Sequence, residues 1–181
     1  MKNKISDFDD AVYKKIRDNV RRFIKEAAVK YDATSIKLLD IAPQVHEGAR
    51  EFFLKSQVYT ADIDKQSGAD YIIDICKNNG DKISEGAFDI VICTEVLEHT
   101  LNPFLAVKEI HRLLKQGGVL LMSTPFNFRI HGPLPDCWRF TDHGIRALLR
   151  DFEQIDIEPL EDENRFLMPL HYTTLARKAE L

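Results

Sequence analysis

Four acidic positions stand where apolar runs end. Asp40 follows Leu38 and Leu39, Asp62 closes Val58–Ala61, Asp74 interrupts Tyr71–Ile75, and Thr94-Glu95 follows Phe88–Cys93. A carboxylate has two accepting oxygens, which suits it to the paired hydroxyls of a ribose. Asp62 lies about 20 residues after the first acid, the separation expected between a first-strand turn and a ribose acid. Asp64 competes with it but lies beyond the apolar run. Asp74 could accept from an adenine amino group. Each acid, taken singly, also fits a solvated loop or a helix cap. Four in succession point to a ligand lying across the ends of several strands.

A second group of residues with chemical potential lies between Pro125 and Thr141. It mixes Phe126, Phe128, Trp138 and Phe140 with Arg129, His131, Asp136 and Arg139. Loops this long in a compact domain are commonly functional. The stretch reads as a lid or acceptor wall, with Phe126, Trp138 and Arg139 as acceptor contacts. The same aromatics could simply seal the core, and Arg139 could pair with a structural acid. His131 and His99 are the candidate bases, because imidazole exchanges protons near neutral pH. His111 reads as structural.

The elements that must position these residues alternate in type. Val12, Ile16, Val20, Phe23 and Ala27 recur at helical spacing and predict a helix from about Asp9 to Lys30. Its Lys14, Lys15, Arg17, Arg21, Arg22 and Lys25 read as a solvated face, with an acidic partner as the alternative. Strands are expected at Ile36–Ile41, Val58–Asp62, Tyr71–Ile75, Phe88–Cys93 and Val119–Met122. A helix is expected from His46 to Lys55. A third should start at Pro103, where a missing N–H costs nothing, and end at Gly117-Gly118. Thr141 should cap a short helix. Strands near Gln154–Ile157 and His171–Ala176 lack a long helix between them and should pair antiparallel at an edge. The expectation is one α/β domain with a Rossmann-like, doubly wound, mainly parallel seven-stranded sheet. Its parts are a helical segment (1–33), a ligand-binding core (34–124), a lid (125–141), and a final helix with edge strands (142–181). Ligands of such sheets sit outside the carboxyl ends of the strands, where the acids fall.

Bulk properties narrow the function. The chain has 181 residues, 44% hydrophobic and 30% charged, which is enough for one packed core. With 25 basic and 29 acidic residues the net charge is −4, so no nucleic-acid partner is expected. Cys76, Cys93 and Cys137 are scattered and odd in number, which argues against a disulfide framework or zinc cluster. No metal is called for. No apolar run approaches the length of a membrane span, and a cytoplasmic location is expected. The partner is a small molecule, with a homodimer as the candidate assembly. HExxH, GxSxG and P-loop motifs do not occur.

Several motifs resemble those of class I S-adenosylmethionine-dependent methyltransferases, in particular the small-molecule, type 11-like branch. They are Leu38-Leu-Asp-Ile-Ala42, Tyr59-Thr-Ala-Asp62, Phe88-Asp-Ile-Val-Ile-Cys-Thr-Glu-Val-Leu-Glu-His99 and Glu109-Ile-His-Arg-Leu-Leu-Lys-Gln-Gly-Gly118. They run in the family's order from about Leu38 to Pro125. The resemblance implies S-adenosylmethionine as cofactor. Asp40, Ala42, Gln44 and Gly48 would lie near its methionine end. Asp62 and Ile63 would hold the ribose, Asp74 and Ile75 the adenine, and Thr94 and Glu95 the region of the sulfonium. His131-Gly-Pro-Leu-Pro-Asp-Cys-Trp-Arg-Phe-Thr141 resembles a subgroup associated with surface-polysaccharide or related small-molecule pathways, which implies a saccharide-pathway acceptor.

One departure is pronounced. Where the family places Gly-x-Gly-x-Gly, this chain has Ala42-Pro-Gln-Val-His46-Glu-Gly48. Pro43 removes an N–H, and only Gly48 retains glycine's freedom of close approach. The loop must follow another path, and a catalytically inactive binding or regulatory module is the alternative reading. The same loss argues against a nicotinamide dehydrogenase.

Overall fold

The computed structural model describes residues 5–43, 48–163 and 165–180. Three α-helices, α1 (Asp7–Tyr31), α2 (Pro103–Leu113) and α3 (Asp142–Leu148), flank seven strands. The strands are β1 (Lys37–Ile41), β2 (Gln57–Asp62), β3 (Tyr71–Ile72), β4 (Phe88–Thr94), β5 (Leu114–Pro125), β6 (Gln154–Leu160) and β7 (His171–Arg177). The sheet order is β3-β2-β1-β4-β5-β7-β6. β1 pairs in parallel with both β2 and β4, so the strand order reverses beside it. β7 is antiparallel to both β5 and β6, which gives the expected reversed edge.

Alternation along the central strands builds two layers. Leu38, Ile90, Ile92, Val119 and Leu121 face one side, where Ile24, Ala27 and Ala28 of α1 cover them. Leu39, Val91, Cys93, Leu120 and Met122 face the other, under Ala106, Val107 and Ile110 of α2 and Ile145 of α3. Burying a Leu or Ile side chain contributes about 1.5–3 kcal/mol, so these layers hold the strand ends in place. The helix starts follow local chemistry. Ser6 accepts from Asp9 N, Asn102 from Leu105 N with Pro103 at the first turn, and Thr141 from Gly144 N.

Three expectations require correction. The helix expected over His46–Lys55 is, in its described part, one 3-10 turn at Gly48–Glu51. Asp32 captures the N–H groups of Leu54, Lys55 and Ser56, which a helix would have needed. The third strand pairs only at Tyr71–Ile72, because the Asp74 carboxylate accepts from Cys76 N and turns the chain. The helix before the glycine pair ends at Leu113, four residues early. Gly117 and Gly118 belong to a bulge in β5, opposite the step from Phe88 to Ile90. A Cβ on Gly118 would lie 2.8 Å from Lys115 O, so close backbone approach explains that glycine. No helix of the described residues is long and apolar enough to cross a membrane.

Candidate active site

The carboxyl ends of β1, β2 and β4 open onto two adjoining cavities. The first, about 400 Å³, is lined by Asp62, Ile63, Ile73, Asp74 and Ile75, with His99, Leu101, Pro133 and Pro135 opposite. The second, about 610 Å³, is lined by Asp40, Pro43, Gly48, Thr94 and Phe52, and by Arg17, Asp18 and Arg21 of α1. Ala42 and Glu95 border both. All the described cofactor candidates except Gly48 therefore meet at the strand ends directly, and Gly48 joins them by folding back. Gln44 lies outside the described residues. Arg17 and Arg21, part of the face read from sequence as solvated, also border the larger cavity, and the Arg21 side chain is exposed.

Backbone geometry shapes this cleft. Ala42 and Glu95 have φ of 51° and 55°, the left-handed region that disfavours a side chain. Ala42 is anchored there by its N–H donating to Ala61 O at 2.7 Å. Gly48, φ 55°, packs against the Asp40 carboxylate, and Asp40 accepts from Ala49 N at 2.8 Å. Burial raises the Asp40 carboxyl to about 6, against the opposing pull of the Ala49 N–H and Arg50. Asp62 is oriented by Asp64 N, which donates to Oδ1 at 2.8 Å.

Glu95 sits at the centre of a buried network. Its Oε1 accepts from Ser123 Oγ at 2.9 Å and lies 2.7 Å from His171 Nε2. His171 Nδ1 is 3.2 Å from Asn19 Nδ2, and Asn19 Oδ1 accepts from Arg22 at 2.9 Å. Arg22 is donor only, so it fixes the Asn19 amide with Nδ2 toward the ring. His171 Nδ1 is then the acceptor and Nε2–H donates to Glu95. Burial works against the Glu95 carboxylate, but the His171 ring and Ser123 hydroxyl outweigh it and hold the acid below its usual range. Neither Asn19 nor His171 stands out by motif. The available signal was a polar Asn19 inside the apolar stripe of α1.

A second cluster lies behind the smaller cavity. Glu98 is fully buried, and neither of its carboxyl oxygens has a hydrogen-bond partner. Burial, then the nearby Glu95, raises its carboxyl well above the usual value. His99 and His131 pack edge to face, 4.9 Å between ring centres. Burial lowers His131 below its ordinary value. Arg139 holds Asp136 through two hydrogen bonds and also donates to the carbonyls of Phe128 and Arg129. It is a clamp of the 125–141 loop. Trp138 Nε1 donates to Thr100 O, and Phe126 packs on Tyr172. Phe126, His131, Trp138 and Arg139 are not among the residues lining either cavity. Cys93 is buried and its thiol is pushed far up by burial, so it is unsuited to act as a nucleophile.

The sheet order, the acids at the strand ends and the cleft at the reversal define a Rossmann-like methyltransferase fold. The methyltransferase-domain family matches residues 9–170, and the chain belongs to it. It is 33% identical over 101 residues to a ubiquinone biosynthesis O-methyltransferase of Xanthomonas campestris pv. campestris, covering 56% of this chain and 38% of that protein. A 39-residue stretch is 46% identical to the Pseudomonas paraeruginosa protein of the same name, covering 22% of this chain and 17% of that one. The chain thus spans well under half the length of these relatives.

Solved structures share the fold at lower identity. A didemethyltoxoflavin N1-methyltransferase of Burkholderia thailandensis, crystallised with its acceptor and S-adenosylhomocysteine, superposes with TM-score 0.63 at 20% identity, covering 92% of this chain and 79% of that one. A methyltransferase of Archaeoglobus fulgidus gives 0.66 at 16% identity, covering 90% and 94%. The [4+2]-cyclase SpnF gives 0.68 at 15% identity, covering 90% and 81%. The fold alone therefore does not fix the chemistry.

Proposed function

We propose that this chain binds S-adenosylmethionine across the two cavities and transfers its methyl group to a small molecule. The observation that carries the reading is the convergence of Asp62, Ile63, Asp74 and Ile75 on one mainly apolar cavity, with Asp40 and Glu95 on the adjoining one. Asp62 would accept from ribose hydroxyls. Asp74 and the backbone of Ile75 would hold the adenine. Asp40, buried and anionic when deprotonated, suits the cationic end of the cofactor. The fit survives the loss of glycines because Gly48 makes the close approach and Ala42 adopts the turn a glycine would favour.

Bound S-adenosylmethionine supplies a methyl group on a good leaving group. The residues have to orient an acceptor in line, keep bulk water away and, for a hydroxyl acceptor, let its proton pass to a base or to solvent. Arg17, Arg21 and Phe52 in the larger cavity would face that acceptor. The similarity to an O-methyltransferase favours an oxygen acceptor. The saccharide-pathway reading rests only on the resemblance of His131–Thr141 and gains no support from the relatives. Release of S-adenosylhomocysteine, measured over a panel of phenols, sugars and nucleotide sugars, tests the proposal. Turnover on a hydroxyl-bearing acceptor is the expected result. A folded chain that binds S-adenosylmethionine and turns over nothing would favour the inactive module.

A further inference from the structure

We propose that Glu98, His99 and His131 form a binding site for a divalent transition-metal ion of the zinc or ferrous type. The site does not rest on the methyl-transfer reading. Glu98 Oε1 lies 3.7 Å from His99 Nε2 and 3.7 Å from His131 Nε2, and one ligand atom from each residue falls within 4.8 Å of the others. Ligands about 2.1 Å from a tetrahedral ion stand about 3.4 Å apart, so each Glu98–histidine pair needs to close by only a few tenths of an ångström, and the two ring nitrogens, within 4.8 Å of each other, swing together to meet the ion.

The second observation is the state of Glu98. Its side chain is fully buried and both oxygens lack partners. A buried carboxyl without a hydrogen bond is costly, and a cation at Oε1 would offset that cost by pairing with the carboxylate charge.

The surroundings match what metal-binding histidines need. His99 Nδ1 lies 3.0 Å from the carbonyl of Pro135, which can only accept, so Nδ1 carries the hydrogen and Nε2 keeps its lone pair. His131 Nδ1 lies 3.1 Å from Asp136 Oδ2, close to it but out of line for a directed hydrogen bond. Both rings thus turn Nδ1 toward an outer acceptor and Nε2 toward Glu98, the arrangement that sets ring orientation in metal sites. Arg139 pins Asp136 and with it the whole outer layer. Two imidazoles and one carboxylate are borderline donors, which favour zinc or ferrous ions over calcium or magnesium. Three protein ligands leave a coordination position open, and His99 borders the smaller cavity.

The test uses the whole chain, stripped with a chelator and exchanged into metal-free buffer. Zn²⁺ is titrated by calorimetry and Co²⁺ by its visible absorption. One equivalent per chain is expected for each ion, with a Co²⁺ spectrum typical of nitrogen and oxygen ligands and a rise in thermal midpoint on adding Zn²⁺. Glu98→Gln keeps the volume and removes the charge. It should fold, match or exceed the metal-free parent in thermal midpoint, and bind Zn²⁺ about 100-fold more weakly or not at all. His131→Gln should weaken binding similarly, and Asp136→Asn about tenfold or more. Cys137→Ser should bind as the parent does. Absence of saturable binding at millimolar Zn²⁺, undiminished binding by Glu98→Gln, or loss of binding in Cys137→Ser would each overturn the proposal.

Discussion

Gly48 lies so close to Asp40 that a Cβ at position 48 would collide with Asp40 Oδ2. Between Ala42 and Gly48 the first loop holds a single glycine, and this contact puts it where backbone and buried carboxylate meet. Gly48→Ala would combine that clash with a left-handed backbone. It should destabilise the chain by about 2–4 kcal/mol, read as a lower urea midpoint at unchanged slope.

Ala42 occupies a left-handed turn, φ 51°, at the point shared by the two cavities. Ala42→Gly would relieve roughly 1 kcal/mol of backbone strain and add a similar entropy to the unfolded chain. Stability should therefore stay within about 1 kcal/mol of the parent. Ala42→Val places a β-branched residue in the same turn and should cost about 2 kcal/mol or more. Equal urea midpoints for the two variants would show that the turn does not constrain position 42.

Asp40 should make stability depend on pH. Its carboxyl titrates near 6 when folded and near the ordinary 3.8 when unfolded, because burial favours the protonated form. Its contribution is fully present below the unfolded value and is lost as pH rises through the folded value. Over that window it should fall by about 3 kcal/mol at most. Asp40→Asn keeps an acceptor for Ala49 N and has no charge to bury. Urea unfolding at several pH values should therefore show a flatter profile for this variant between about pH 4 and 7.

Asn19 and His171 should be energetically coupled through their buried contact, because His171 orients Glu95 only while Asn19 holds the ring. A double-mutant cycle with Asn19→Leu and His171→Phe should give a coupling of about 1–2 kcal/mol in urea unfolding. Additive effects would mean that the ring is held by packing alone.

What the sequence reveals follows from how local each signal is. Asp40, Asp62, Asp74 and Glu95 can be read because apolar runs place strand ends, and the ends define the cleft. The reversed edge at β6 and β7 is legible because no long helix separates those strands. The 3-10 turn at Gly48–Glu51 is hidden, since its cause is Asp32, more than twenty residues away from the N–H groups it captures. The Asn19–His171–Glu95 network joins α1, β7 and the turn after β4, and no local spacing could announce it. Nothing in the spacing around Glu98 marks it as buried. Its burial arises because the 125–141 loop folds over it, with Cys137 N donating to Glu98 O. For Trp138 and Arg139 the residue types leave an acceptor contact and a structural role both open, and their hydrogen bonds tie that loop to its neighbours.

The most direct test of the central claim is calorimetric titration of the folded chain with S-adenosylmethionine, alongside Asp62→Ala. The account predicts saturable one-to-one binding by the parent and at least about tenfold weaker binding by the variant, the equivalent of one lost hydrogen-bonding carboxylate. No binding at millimolar ligand, or equal affinity of the two proteins, would contradict it.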